Sequence, residues 1–164
     1  MQRVDVKRQF IREAVEKLPS DGRNGLLVSD AMTANPVCVP AERTALQIVD
    51  IFQEMRFQHM LVTDQGRLVG VLSDRDVVRL FGTHESEERN YLETITAGEL
   101  MSLDPVTTTP DTPLLDAVSL MLENGLHCLP VVDHGLACGI LTSTDLFLAL
   151  EQILQGAPAR CTVA

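Results

Sequence analysis

Gly70-Val71-Leu72-Ser73-Asp74-Arg75-Asp76 is answered, 69 residues further along the chain, by Gly139-Ile140-Leu141-Thr142-Ser143-Thr144-Asp145. Each stretch runs from a glycine through two apolar residues to a hydroxyl, then three positions on to an aspartate. The apolar residues suit a strand, and the Ser/Thr-x-x-Asp spacing suits the first turn of a helix. Working outward without a gap, Met32 falls on Met101 and Pro36-Val37 on Pro105-Val106. Leu46 meets Leu115, Val62 meets Val131, Asp64 meets Asp133 and Gly66 meets Gly135. Residues 30–79 against 99–148 give 12 identities in 50, where average composition would give roughly three. They include glycine, proline and aspartate positions, where backbone geometry is decided. The chain therefore holds two copies of one unit of about 60 residues.

Each unit has the same expected order: strand, helix, strand, strand, helix. In the first, Val37 to Val39 is a short strand. Ala45, Leu46, Val49, Phe52 and Met55 recur at helical spacing. His59 to Thr63 and Leu68 to Leu72 form a hairpin about Asp64-Gln65-Gly66-Arg67. A helix carrying Val77, Val78 and Leu80 follows Ser73. In the second copy the elements fall at Val106 to Thr108, Leu114 to Glu123, Cys128 to Val132, Leu136 to Leu141 and Ser143 to Leu154. The expected organisation is an N-terminal amphipathic helix and loop over 1–25, with Val4, Ile11, Val15 and Leu18 on one face. The first repeat spans 26–84, an acidic linker 85–96, the second repeat 97–155 and a tail 156–164.

Composition bounds the function. The chain has 164 residues, 45% hydrophobic and 22% charged, which is ordinary globular composition. Its formal charge is −10, which repels polyanions and excludes general nucleic-acid binding. Aromatics are only 4%, with no Trp, so base-stacking platforms are not expected. No apolar run of about 18 residues predicts a membrane span. Met1 to Leu18 is charged throughout and lacks the apolar centre of a signal peptide. Cys38, Cys128, Cys138 and Cys161 form no Cys-x-x-Cys pair and no zinc spacing. They are expected to be reduced, mostly small core residues in a cytoplasmic protein. The methionines at apolar repeat positions likewise look like core. No metal site is expected.

The repeated Ser/Thr-x-x-Asp has two readings. Ser73 and Thr142 can be helix N-caps with Asp76 and Asp145 at the third helical position, close to a capping box. The same helix end also presents N–H groups to an anion, and a carboxylate can accept from a ribose diol.

The gapless pair of units resembles tandem CBS domains, often called a Bateman module. The motifs that carry the resemblance are Asp30-Ala31-Met32-Thr33 through Pro36-Val37, Arg56 to Val62, and Gly70 to Asp76. In the second copy they are Glu99-Leu100-Met101-Ser102 through Pro105-Val106, Gly125 to Asp133, and Gly139 to Asp145. The resemblance covers about residues 26–155. It implies an α/β fold: two β-α-β-β-α repeats packed sheet to sheet with pseudo-twofold symmetry, beside the N-terminal helix. It also implies clefts for adenosine-containing ligands: AMP, ADP, ATP or S-adenosylmethionine as regulatory ligands, with no cofactor required. Asp76 and Asp145 would hold ribose hydroxyls, and Ser73 and Thr142 would sit beside ribose or phosphate. The adenine would lie against Thr33–Val37 with His59, and against Ser102–Val106 with Cys128. Homodimerisation and an effector protein in trans are further expectations of the resemblance.

The copies also differ. Leu61 stands where the second has Pro130. Between Ala97 and Ala159 there is no Lys or Arg against eight Asp/Glu, whereas the first copy carries Arg43, Arg56, Arg67, Arg75 and Arg79. Arg75 lies in the first turn of its expected helix, where a guanidinium can pair with phosphate; its counterpart is Thr144. The Asp76 cleft is therefore expected to prefer a phosphorylated ligand. The Asp145 cleft should bind weakly, take a nucleoside-like ligand or stay empty. No nucleophile–base constellation or enzyme-type glycine-rich loop is present, so the expected function is non-catalytic regulation. The alternative is a constitutive homo-oligomerisation module with vestigial clefts. A third, weaker reading is an enzyme acting on the bound nucleotide.

Overall fold

The computed structural model describes residues 3–17, 25–55, 57–81 and 88–156. In chain order the elements are α1 (Arg3–Glu16), α2 (Val28–Ala31), β1 (Thr33–Ala34), β2 (Cys38–Val39), α3 (Ala45–Met55), β3 (His59–Asp64), β4 (Arg67–Ser73) and α4 (Asp74–Phe81). They continue with α5 (Glu88–Thr94), α6 (Ala97–Leu100), β5 (Ser102–Leu103), α7 (Leu114–Glu123), β6 (Cys128–Asp133), β7 (Leu136–Thr142) and α8 (Ser143–Gly156). The fold is mixed α/β with an N-terminal helix, as the sequence implies. Helices α3 and α7 and both hairpins lie where the periodicity puts them.

The chain forms two compact units: Met1–Ala34 with Thr108–Val131 and Ile140–Ala164, and Asn35–Thr107 with Val132–Gly139. The reason is visible at four residues that were not read as strands. β1 joins the sheet of order β1-β7-β6, away from the strands that follow it in its own repeat. β5 pairs antiparallel with β4, through Gly70↔Leu103 and Val71↔Ser102. The chain leaves each short strand through a left-handed residue, Asn35 (φ 51°) or Asp104 (φ 48°), followed by Pro36 or Pro105. Asn and Asp tolerate that region better than bulkier residues do. The Asn-Pro and Asp-Pro pairs were the available sign of a change in direction.

In the second unit the sheet order is β2-β3-β4-β5. β2 runs parallel to β3, with Cys38↔Leu61 and Val39↔Val62. Gln65 (φ 47°) and Gly66 (φ 82°) turn the β3–β4 hairpin with positive φ at both central positions, the handedness that matches strand twist. Val39, Ile48, Met60, Val62, Leu72, Val77 and Ala97 form the buried cluster of this unit. Val78 faces solvent, 65% exposed, because its neighbour Val77 takes the inward face of α4.

In the first unit α1 packs against α2 and α8, and α7 against α2. Of the expected α1 stripe, Ile11 is buried and Val15 half-buried; Leu18 and the Val4 side chain lie outside what is described. Ile11 is the buried side chain of α1 in the described stretch, while Val6 and Phe10 are more than half exposed. One such apolar anchor contributes about 1.5–3 kcal/mol, so α1 also relies on polar contacts. Arg8 donates to Glu151 of α8 at 2.9 Å.

Two expectations about core residues are corrected. Cys38 is exposed and Cys128 and Cys138 are half-buried, Cys38 because it lies on the short edge strand β2. Cys161 lies outside the described residues, as does Arg56. Met60 and Met121 are core, but Met55, at the end of α3, is 51% exposed.

Helix α6 shows a cap with a pH signature. The Thr96 backbone N–H and hydroxyl both donate to Glu99 Oε2 at 2.8 Å. Both bonds favour the carboxylate, the backbone one most, and hold the Glu99 carboxyl below its usual value. Its contribution to stability is complete above the unfolded-chain pKa and is lost as pH falls through the lower, folded value. An NMR titration is expected to show a depressed Glu99 midpoint that rises in Thr96→Val. An unchanged midpoint in that variant would remove the hydroxyl's share.

Candidate functional site

The two aspartates are built into identical local structures. β4 ends at Ser73, α4 begins at Asp74, and Asp76 is its third residue. The Ser73 backbone N–H donates to Asp76 Oδ2 at 2.8 Å and its hydroxyl donates to the same oxygen at 2.7 Å. Thr142 and Asp145 repeat this at 2.8 and 2.9 Å. The hydroxyl gives its proton to the carboxylate here, so this is a variant of the capping box. The whole device recurs at Thr96–Glu99 and its backbone half at Leu27–Asp30, so capping alone does not mark a ligand site.

What separates the two aspartates is the second carboxylate oxygen. Asp76 Oδ1 has Arg79 Nη1 at 3.7 Å, and that arginine side chain is 80% exposed. Such a contact contributes little. Asp145 is buried, and its Oδ1 pairs with the Lys7 ammonium of α1. The same ammonium donates to Thr33 Oγ1 on β1 at 2.7 Å. Sequence reading missed Lys7, which stands 138 residues from Asp145; no spacing rule reaches that far.

The remaining expected site residues divide between the two units. His59 opens β3 opposite Ser73 in the hairpin register. The Val37 carbonyl accepts the Leu61 N–H at 3.0 Å, which keeps Val37 beside the strand of His59. Arg75 is the exposed second residue of α4, and Val106 is 39% exposed. Cys128 opens β6 and is half-buried, and Thr144 is the exposed second residue of α8. One grouping is corrected. Thr33 was expected with His59, and Ser102 with Cys128. Instead Thr33 meets Lys7 and stands with Asp145, while Ser102 pairs with Val71 of β4. The exchanged short strands are the cause.

Among the described residues no group of three His, Cys, Asp or Glu is placed to hold a metal ion. No helix among them is long and apolar enough to cross a membrane.

The sequence matches the family model of the CBS domain twice, over residues 28–82 and 97–152. A curated relative, the uncharacterised protein MJ0188 of Methanocaldococcus jannaschii, is 29% identical over 120 residues. That match covers 73% of this chain but 42% of the relative, so the chain spans less than half of that protein's length. Among solved structures, CBSX2 of Arabidopsis thaliana in complex with AMP is similar at 31% identity and a TM-score of 0.68. The match covers 79% of this chain and 99% of that one. The cytosolic domain of the Mg2+ channel MgtE in complex with ATP is similar at 25% identity and a TM-score of 0.61, over 82% of this chain and 51% of that one.

Proposed function

Since the chain belongs to the CBS domain family, we propose that it is a non-catalytic regulatory module that binds an adenosine-containing ligand and signals through a change in packing. The observation that carries the reading is the equivalent placement of Asp76 and Asp145 at the strand–helix junction of each CBS repeat, with one oxygen of each left unused by its cap. In this reading Asp76 and Asp145 accept from ribose hydroxyls, with Ser73 and Thr142 beside ribose or phosphate. Val37 and His59 line the adenine at the Asp76 site. Thr33 serves the Asp145 site; Val106 and Cys128 are further adenine-lining candidates. Arg75 pairs with phosphate, where the second copy offers Thr144. AMP and ATP in similar proteins support the ligand class; S-adenosylmethionine remains an arm of the test. Signalling requires that the ligand favour one of two states which a partner distinguishes. A homodimer and an effector protein in trans are part of the proposal.

The second reading is an assembly module. Phe147, Leu150 and Leu154 of α8 and Leu115 and Leu122 of α7, each at least half exposed, favour it.

A thermal-shift panel with AMP, ADP, ATP, S-adenosylmethionine, NAD and GTP separates the two. A ligand at 100 times its Kd adds about 2.7 kcal/mol, a rise of roughly 5–10 °C for this size. The expected result is a shift for adenine ligands, reduced by Asp76→Ala, with the ATP response lowered by Arg75→Ala. No shift for any ligand in a well-folded sample would favour assembly.

A further inference from the structure

Three groups that the Asp145 site offers are engaged from within the molecule. Oδ2 takes the Thr142 N–H and hydroxyl, Oδ1 takes the Lys7 ammonium, and the Thr33 hydroxyl takes the same ammonium. Resting on the reading of Asp145 as a ribose-binding carboxylate, we propose that α1 closes this site. Lys7 is its intramolecular occupant, and an adenosine-containing ligand enters only as Lys7 is displaced and α1 loosens.

The contact is more than a brace for the fold. The Asp76 cap forms with the same geometry, and among the described residues its ion-pair partner is the exposed Arg79 at 3.7 Å. A cation in the Lys7 position is therefore not required to build the Ser/Thr-x-x-Asp turn. Lys7 also comes from outside the repeats, on a helix whose buried apolar anchor among the described side chains is Ile11, with ion pairs such as Arg8–Glu151. Such a helix can be released without unfolding the rest of its unit. Its ammonium, with a side chain only 16% exposed, sits on the oxygen that a ribose diol would need. The two sites thus differ in access as well as in charge. Among the described residues the ion-pair partner of Asp76 is an exposed arginine, whereas the Asp145 site responds to whatever holds or frees α1. Because coupling is reciprocal, a ligand bound there must loosen α1 by the same factor by which α1 weakens the ligand.

The test uses the full chain carrying Asp76→Ala, so that calorimetric titration with adenosine and with AMP reports the Asp145 site. Adding Lys7→Met is expected to tighten binding of adenosine by between about 5- and 150-fold, the usual range for coupled sites. Lys7→Arg should behave as the parent. In the parent, saturating adenosine should raise hydrogen exchange across residues 3–16. Unchanged or weaker binding in the Lys7→Met chain would overturn the gate, weaker binding marking Lys7 as a ligand contact instead. Binding without faster exchange in α1 would overturn it as well. Should the methionine variant lose its cooperative thermal transition, Lys7→Gln takes its place. Failure of the underlying reading looks different: no adenosine compound binds at all, even with Lys7 replaced, whereas a failed gate leaves binding present and insensitive to Lys7.

Discussion

Asp145→Ala is expected to lower the unfolding free energy by about 3–5 kcal/mol, the usual cost of breaking one side of a buried pair. At roughly 2–4 °C per kcal/mol for a chain of this size, the midpoint should fall by about 6–20 °C. The cost has two parts. The α8 cap loses the acceptor for the Thr142 N–H and hydroxyl. The larger part is the Lys7 ammonium, left mostly buried without its carboxylate. The matching Asp76→Ala removes only a cap, since the Arg79 side chain is already in solvent, and should cost about 1 kcal/mol. The difference isolates Lys7. Lys7→Met added to Asp145→Ala should recover much of the loss, because no charge is then stranded. Equal losses in the two alanine variants, by urea unfolding at neutral pH, would show that the Lys7 pair contributes nothing net.

Leu72→Ala is the second large effect. Leu72 is fully buried in the cluster with Ile48, Met60, Val62 and Val77, and lies opposite Met60 in the β3–β4 register. Truncation removes apolar contacts and leaves a cavity that a sheet–helix core closes poorly, a loss of about 2–5 kcal/mol. Leu72→Met should cost under about 1.5 kcal/mol, because volume is nearly conserved. Leu103→Ala, at a site 68% exposed, should stay within about 0.5 kcal/mol. Chemical unfolding of the three variants checks the order. A loss below about 1 kcal/mol for Leu72→Ala, under the usual range for a core truncation, would mean that the second unit's core tolerates a void.

Much of the fold was legible because its signals are local. Helical spacing from Ala45 to Met55 and from Leu114 to Glu123 needs only the chain's own period. The hairpin turn at Gln65-Gly66 announces itself through the turn residues Asp64-Gln65-Gly66-Arg67 between two apolar runs. The Ser73–Asp76 and Thr142–Asp145 caps were likewise readable, since three residues of helix fix both partners. Cys38 and Met55 were misjudged as core. Hydrophobic character says that a residue tolerates burial, not that a neighbour arrives to cover it.

The sequence by itself determined the duplication, the element order, the family and the two aspartates at equivalent caps, because each follows from residue type at short spacing. Only the tertiary structure decided which short strand joins which sheet, and hence that Thr33 stands with Asp145 and Ser102 beside β4. It alone brought Lys7 to Asp145. Two-residue strands carry too little pattern to reveal their partners. An ion pair spanning 138 residues depends on where a helix packs, which is settled by burial and shape over the whole unit rather than by any local code.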